Sequence, residues 1–152
     1  METAVDRRQE IDLDQMYSAV LKLRDGDFSA RLPGEWKNRA GMVARVFNSL
    51  AAMLEELSSE QIRVANEIGT QGELGCTMEV FGIYGKWREM HDAMNRMSIG
   101  LTVELRRTSQ FADALAQGKQ PDEMQGQYIA GEIAQMQTRL NAVAKRLADV
   151  AH

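Results

Sequence analysis

Apolar residues recur along this chain in alternating steps of three and four. One stretch carries Val43, Phe47, Leu50, Leu54 and Leu57, and a second carries Trp87, Met90, Met94, Met97 and Leu101. A third carries Ile133, Met136, Leu140, Val143, Leu147 and Val150. A shorter one near the start has Leu13, Met16, Val20 and Leu23. Such stepping gathers side chains on one stripe of an α-helix and forms the a/d seam of a coiled coil. The pattern predicts amphipathic helices sharing a bundle core, with Met16, Val20 and Leu23 contributing beside the three longer stripes.

The pattern is also periodic on a larger scale. Gly26, Gly72 and Gly118 each close an apolar helical stretch, at spacings of 72 − 26 = 46 and 118 − 72 = 46. The pairs Phe47-Asn48, Met94-Asn95 and Leu140-Asn141 repeat with spacings of 95 − 48 = 47 and 141 − 95 = 46. Two independent landmarks with one period indicate an internal repeat. Three units result, over residues 11–57, 58–104 and 105–150. Each reads as a helix, a glycine stop, a non-helical connector and a second, longer helix.

The connectors share a signature. Apolar residues stand two and six positions after the glycine: Phe28 and Leu32 in unit one, Leu74 and Met78 in unit two. Unit three keeps the second anchor, Met124, while its first is the polar Gln120. Such a connector docks two side chains on a bundle and otherwise stays hydrated. A dozen residues reach about 40 Å when extended, whereas a 14-residue helix is about 21 Å long. The chain can therefore return, and the two helices of a unit can lie parallel.

Two helices in about 46 residues enclose too little interior to fold alone. Two chains side by side supply four helices and a closed core. The expected architecture is all-α: parallel homodimeric four-helix coiled-coil bundles, stacked end to end in three units. Proline is absent from Asn38 to Ile68 and from Lys86 to Gln117, so helices should run through the unit boundaries. The seam slips there. Strict stepping reaches the polar Gln61 after Leu57, and Glu104 after Leu101, where the apolar neighbour is Leu105. Slips of this kind alter the local winding of a bundle.

Composition narrows the function. The chain has 152 residues, 44% hydrophobic, with 18 Lys+Arg against 22 Asp+Glu. A net charge of −4 disfavours nucleic-acid binding, which draws most of its affinity from clustered positive charge. No apolar run approaches the roughly 18 residues of a membrane helix, and Met1 to Glu10 lacks the apolar core of a signal peptide. Cys76 is the one cysteine, so an intrachain disulfide is excluded. These features suggest a cytoplasmic protein without direct membrane insertion.

The ordered motifs resemble a known family. Gly26-Asp27-Phe28-Ser29 to Leu32-Pro33, followed by Gly41-Met42-Val43-Ala44-Arg45-Val46-Phe47-Asn48-Ser49-Leu50, resembles the HAMP domain. HAMP modules link sensors to outputs in histidine kinases, adenylyl cyclases, chemotaxis receptors and phosphatases. Arg63-Val64-Ala65-Asn66-Glu67-Ile68-Gly69-Thr70-Gln71-Gly72-Glu73-Leu74-Gly75, then Gly85-Lys86-Trp87, resembles the tandem arrays of hybrid histidine kinases. Gly131-Glu132-Ile133 opens the last helix in the same style. The resemblance covers residues 11–150 and is similar to the soluble poly-HAMP type. It implies a parallel homodimer that passes conformational signals between sensor and output domains of a longer chain. The family's acidic residue at the start of the second helix is retained as Glu132, whereas units one and two carry Arg39 and Lys86 there.

Candidate catalytic chemistry is sparse. His91 falls beside the Met90 seam position, and His152 stands at the C-terminus. Cys76 has no cysteine or histidine near it in sequence. The glycines from Gly69 to Gly75 lack the Gly-Lys-Ser/Thr ending of a phosphate loop. The methionine stripe Met90, Met94, Met97 has core spacing before it has ligand spacing. The sequence thus points to a non-enzymatic relay without cofactor or metal. A static coiled-coil scaffold or adaptor is the alternative.

Overall fold

In a computed structural model, residues 12–125 and 129–150 are described. The N-terminal stretch Met1 to Glu10 and His152 lie outside the described residues. Four α-helices account for most of the rest: α1 Leu13–Arg24, α2 Asn38–Asn66, α3 Gly85–Ala116 and α4 Glu132–Val150. No strand occurs among the described residues, and none of their helices is long and apolar enough to cross a membrane. The protein is all-α.

Local chemistry sets the helix ends. Asp12 caps α1, its carboxylate accepting from the amides of Asp14 and Gln15 at 3.1 Å each. Such a cap satisfies donors that the first turn leaves without partners. α1 closes with the Asp27 amide on the Lys22 carbonyl at 2.9 Å, and α3 closes with Lys119 on Ala114 at 2.9 Å. These six-to-one bonds wrap the chain around a left-handed residue, here Gly26 at φ +87° and Gly118 at φ +68°. Unit two differs. α2 passes into a π-helical turn, Glu67–Gln71, before Gly72 at φ +72° ends it. A side chain at any of these three glycines would meet the steric cost of the left-handed region.

α2 and α3 run without a break through the boundaries between repeats, 29 and 32 residues long. Each second helix is opened by a left-handed residue: Asn38 at φ +53°, Gly85 at φ +58° and Gly131 at φ +73°. These residues stand ten positions before Asn48, Asn95 and Asn141, so they keep the repeat period.

The described residues form two compact bodies, 12–63 with 79–84, and 64–78 with 85–125 and 129–150. The core of the first joins Ala19 of α1, Ala30 and Leu32 of the connector, and Ala44, Phe47 and Ala51 of α2. Met16, Leu23 and Trp36 pack against it. Alanine dominates the α2 side because small side chains let a helix and a connector approach closely. The second body has a cluster of Phe111, Met124 and Ala144, with Leu115 and Leu140 against it.

Candidate functional site: the connector clasps

Each connector must satisfy a backbone that belongs to no helix or sheet. A docked, dehydrated amide or carbonyl costs free energy unless it finds a partner. The same side chain solves this in all three units. Asn48 accepts from the Leu32 amide at 2.7 Å and donates to the Leu32 carbonyl at 2.9 Å. Asn95 does the same to Met78 at 2.7 and 3.1 Å. Asn141 does the same to Met124 at 3.0 and 2.8 Å. A primary amide presents one acceptor and a donor side by side, which matches the amide and carbonyl of one extended residue. The clasped side chains, Leu32, Met78 and Met124, are all buried, so the polar clasp and the apolar anchor act at one position.

The second connector is tied to α3 along its length. Going along it, Arg106 donates to the Leu74 carbonyl at 3.1 Å, and the Gly75 amide donates to the Thr102 hydroxyl at 2.9 Å. The Ser98 hydroxyl donates to the Cys76 carbonyl, and Asn95 holds Met78. The helix partners descend from 106 to 95 as the connector ascends from 74 to 78. The connector therefore runs antiparallel to α3 and carries the chain back before α3 rises. In unit one the order is likewise reversed, with Arg31 on Glu55 at 2.9 Å and Leu32 on Asn48. In unit three Arg107 of α3 donates to the Gln125 carbonyl at 3.0 Å.

Two carboxylates pin connector backbone. Asp27 follows the first glycine and accepts from the hydroxyl and amide of Ser29, which holds its carboxyl below the usual range. Glu60 of α2 pairs with Arg63 at 2.7 Å and accepts from the Glu79 amide at 2.9 Å. The Arg63 hydrogen bonds come first and the Glu79 amide second in lowering the Glu60 carboxyl to about 2.

His91 lies in the clasp of unit two. Its Nε2 is 3.1 Å from the Met78 carbonyl oxygen and 3.4 Å from the Asn95 amide nitrogen. Its Nδ1 is 3.0 Å from an Asp92 carboxylate oxygen. The His91 contact is the largest cause holding the Asp92 carboxyl below its ordinary value. The imidazole side chain is 13% exposed.

A second buried polar contact lies between α3 and α4. Glu104 and Gln137 are both fully buried, and the Gln137 amide nitrogen donates to the Glu104 carboxylate. Arg107 approaches the other carboxylate oxygen at 3.9 Å. The Gln137 amide oxygen has no hydrogen-bond partner. Where the seam slips, then, the strictly stepped position Glu104 is buried, and the apolar Leu105 beside it is exposed.

The residues singled out by sequence fall into three groups. Leu32, Met78 and Met124 are buried anchors, whereas Phe28 and Leu74 are half-buried. Among the seam residues, Phe47 and Leu57 are buried, and Met16, Leu23, Val43, Leu54, Met94, Leu101, Ile133 and Leu140 are half-buried. Val20, Leu50, Trp87, Met90, Met97, Met136, Val143 and Leu147 are exposed in the single chain. Glu132 is exposed in the first turn of α4. Apart from Phe47, the buried helix residues that meet connectors are small or polar: Ala44 and Ala51 on α2, Ser98 and Thr102 on α3, and Ala144 on α4. In the sequence the three asparagines stand out as landmarks of the repeat, with no role attached. Their constant distance from the buried anchors, 16 to 17 residues, was the signal available.

No protein-family model matches the chain, and no solved structure matches it. Among the described residues, no group of three His, Cys, Asp or Glu is placed to hold a metal ion.

Proposed function

We propose that the chain is a three-unit relay of the HAMP type, working as a parallel homodimer and without chemistry of its own. The reading rests on the motif resemblance and on one observation. On each second helix a clasped connector lies beside an uncovered apolar stripe. Asn48, Asn95 and Asn141 hold the connectors, and two positions on, Leu50, Met97 and Val143 are 37%, 49% and 47% exposed. Exposed apolar stripes of this regularity mark a surface that another helix covers. A second copy in parallel register supplies the same stripe to each unit. The relay is then a shift between two packings of the bundle that differ by a few kcal/mol, biased by a sensor domain and read by an output domain. Helices that continue through the repeat boundaries carry the shift from one unit to the next.

A static scaffold would use the same seam but has no need of three returning connectors. Cysteines at Leu50, Met97 or Val143, each in a Cys76→Ser background, separate the two. A parallel dimer brings equivalent Cα atoms within the roughly 4.4–6.8 Å that a disulfide favours, so oxidation should crosslink all three. Adding Asn48→Ala should change crosslinking at 97 and 143 in a relay. Unchanged crosslinking there favours the scaffold, and absence of crosslinking in a folded dimer overturns the parallel arrangement.

A further inference from the structure

Four residues before each clasp asparagine, the three units differ: Ala44, His91 and Gln137. Ala44 is buried in the apolar core of its unit, and Gln137 is committed to Glu104. His91 alone among them can change charge, and it touches the clasp itself. Both of its ring nitrogens face oxygens that only accept: Asp92 at Nδ1 and the Met78 carbonyl at Nε2. A neutral imidazole carries one N–H and one lone pair. With the proton on Nε2, the Nδ1 lone pair is set against a carboxylate. With the proton on Nδ1, the Nε2 lone pair is set against the Met78 carbonyl, and only the second N–H of Asn95, at 3.4 Å, is turned to meet it. The imidazolium alone offers an N–H to both oxygens.

We propose that His91 is a proton-sensitive latch on the second connector, in which the imidazolium grips Asp92 and the Met78 carbonyl together and loss of the proton loosens the Met78 clasp. The charged groups that face the ring are on its own helix, Asp92 and, through Asp92 at 3.5 Å, Arg88. From the connector it meets the uncharged Met78 carbonyl, and Asn95 adds a neutral amide. Histidine changes charge in the range where cellular pH varies. Acidification therefore tightens the connector of unit two, while units one and three, with alanine and glutamine at the same position, do not respond. The latch does not rest on the relay reading, because a static bundle with this connector would carry it as well.

Amide hydrogen exchange of the native chain tests this with internal controls. The amides of Leu32, Met78 and Met124 each donate to a clasp asparagine. Protection of the Met78 amide relative to the other two should fall roughly fivefold, the scale of one net hydrogen bond, as the solution is taken from mildly acidic to mildly alkaline. His91→Gln retains a donor for the Met78 carbonyl and cannot titrate, so the difference should vanish. If Met78 tracks Leu32 and Met124 across the range, or the His91→Gln chain keeps the full difference, the latch is wrong. The ring nitrogen shifts of His91 need no variant. Protonation of both nitrogens on the acid side is expected, and one neutral tautomer throughout would also overturn the proposal.

Discussion

Asn48 and Leu32 stand 16 residues apart and exchange two hydrogen bonds, side-chain amide against backbone amide and carbonyl. The contact joins a helix to a segment that has no regular structure of its own. It defines where the connector lies, because a shift of one residue would turn Leu32 out of the core and face the asparagine with the wrong groups.

Removing that clasp should therefore cost more than a surface substitution. Asn48→Ala leaves the Leu32 amide and carbonyl without partners, a loss of about 1–3 kcal/mol. Asn48→Asp keeps the acceptor but sets a carboxylate oxygen against the Leu32 carbonyl, so it should be no better. Urea unfolding monitored by circular dichroism measures both. Two midpoints equal to the wild type would show that the clasp contributes nothing.

Gly41 tolerates no side chain. A Cβ there would stand 2.2 Å from the Trp36 carbonyl oxygen, whereas at Gly69 it would meet nothing within 4 Å. Gly41→Ala should be destabilising by about 1–3 kcal/mol, in line with overpacking of a filled site. Gly69→Ala should be neutral or stabilising by a few tenths, since it restricts the unfolded chain. A thermal melt of the two variants that gave the reverse order would contradict the close approach.

Glu60 should make stability depend on acid. Its carboxyl is lowered from 4.5 to about 2 by Arg63 and by the Glu79 amide. A depressed folded value means the unfolded chain binds the proton more readily. The stabilisation is thus complete above about 4.5 and is lost as pH falls toward 2. Solvent screening at this partly exposed site limits it to about 1 kcal/mol. Unfolding free energies of the wild type and Glu60→Gln should converge as the solution is taken from neutral to about pH 2. A constant gap would exclude the linkage.

The buried pair Glu104 and Gln137 should respond unequally to single and double replacement. Gln137→Leu removes a hydrogen bond from a buried carboxylate and should cost about 2–3 kcal/mol. Replacing both by leucine fills similar volume without a polar group and should recover most of that loss. A double-mutant cycle by denaturant titration reads the difference. Strict additivity would mean that the two side chains do not depend on each other.

The elements were legible because their signals are local. Three-four stepping marks the stripes on α2, α3 and α4, and glycine marks the ends, since only a residue free to take positive φ closes a helix in this way. The buried anchors Leu32, Met78 and Met124 were legible from their fixed distance after those glycines. The asparagines were visible as a repeat but mute as to role, because what they bind is backbone, which has no signature in sequence.

By itself the sequence determined helix positions, the period of the repeat and the places where the chain must turn. These follow from backbone sterics and the 3.6-residue turn, which act within a few residues. Tertiary structure decided which face of each helix meets its connector, and beside Phe47 it placed Ala44 and Ala51 on α2, and Ser98 and Thr102 on α3, there. It also buried Glu104 beside an exposed Leu105 and brought His91 to the Met78 carbonyl. Those outcomes depend on how closely a returning connector can approach a helix and on which side chain there can satisfy its amides and carbonyls. That balance is struck between segments far apart in the chain, where no local periodicity reports it.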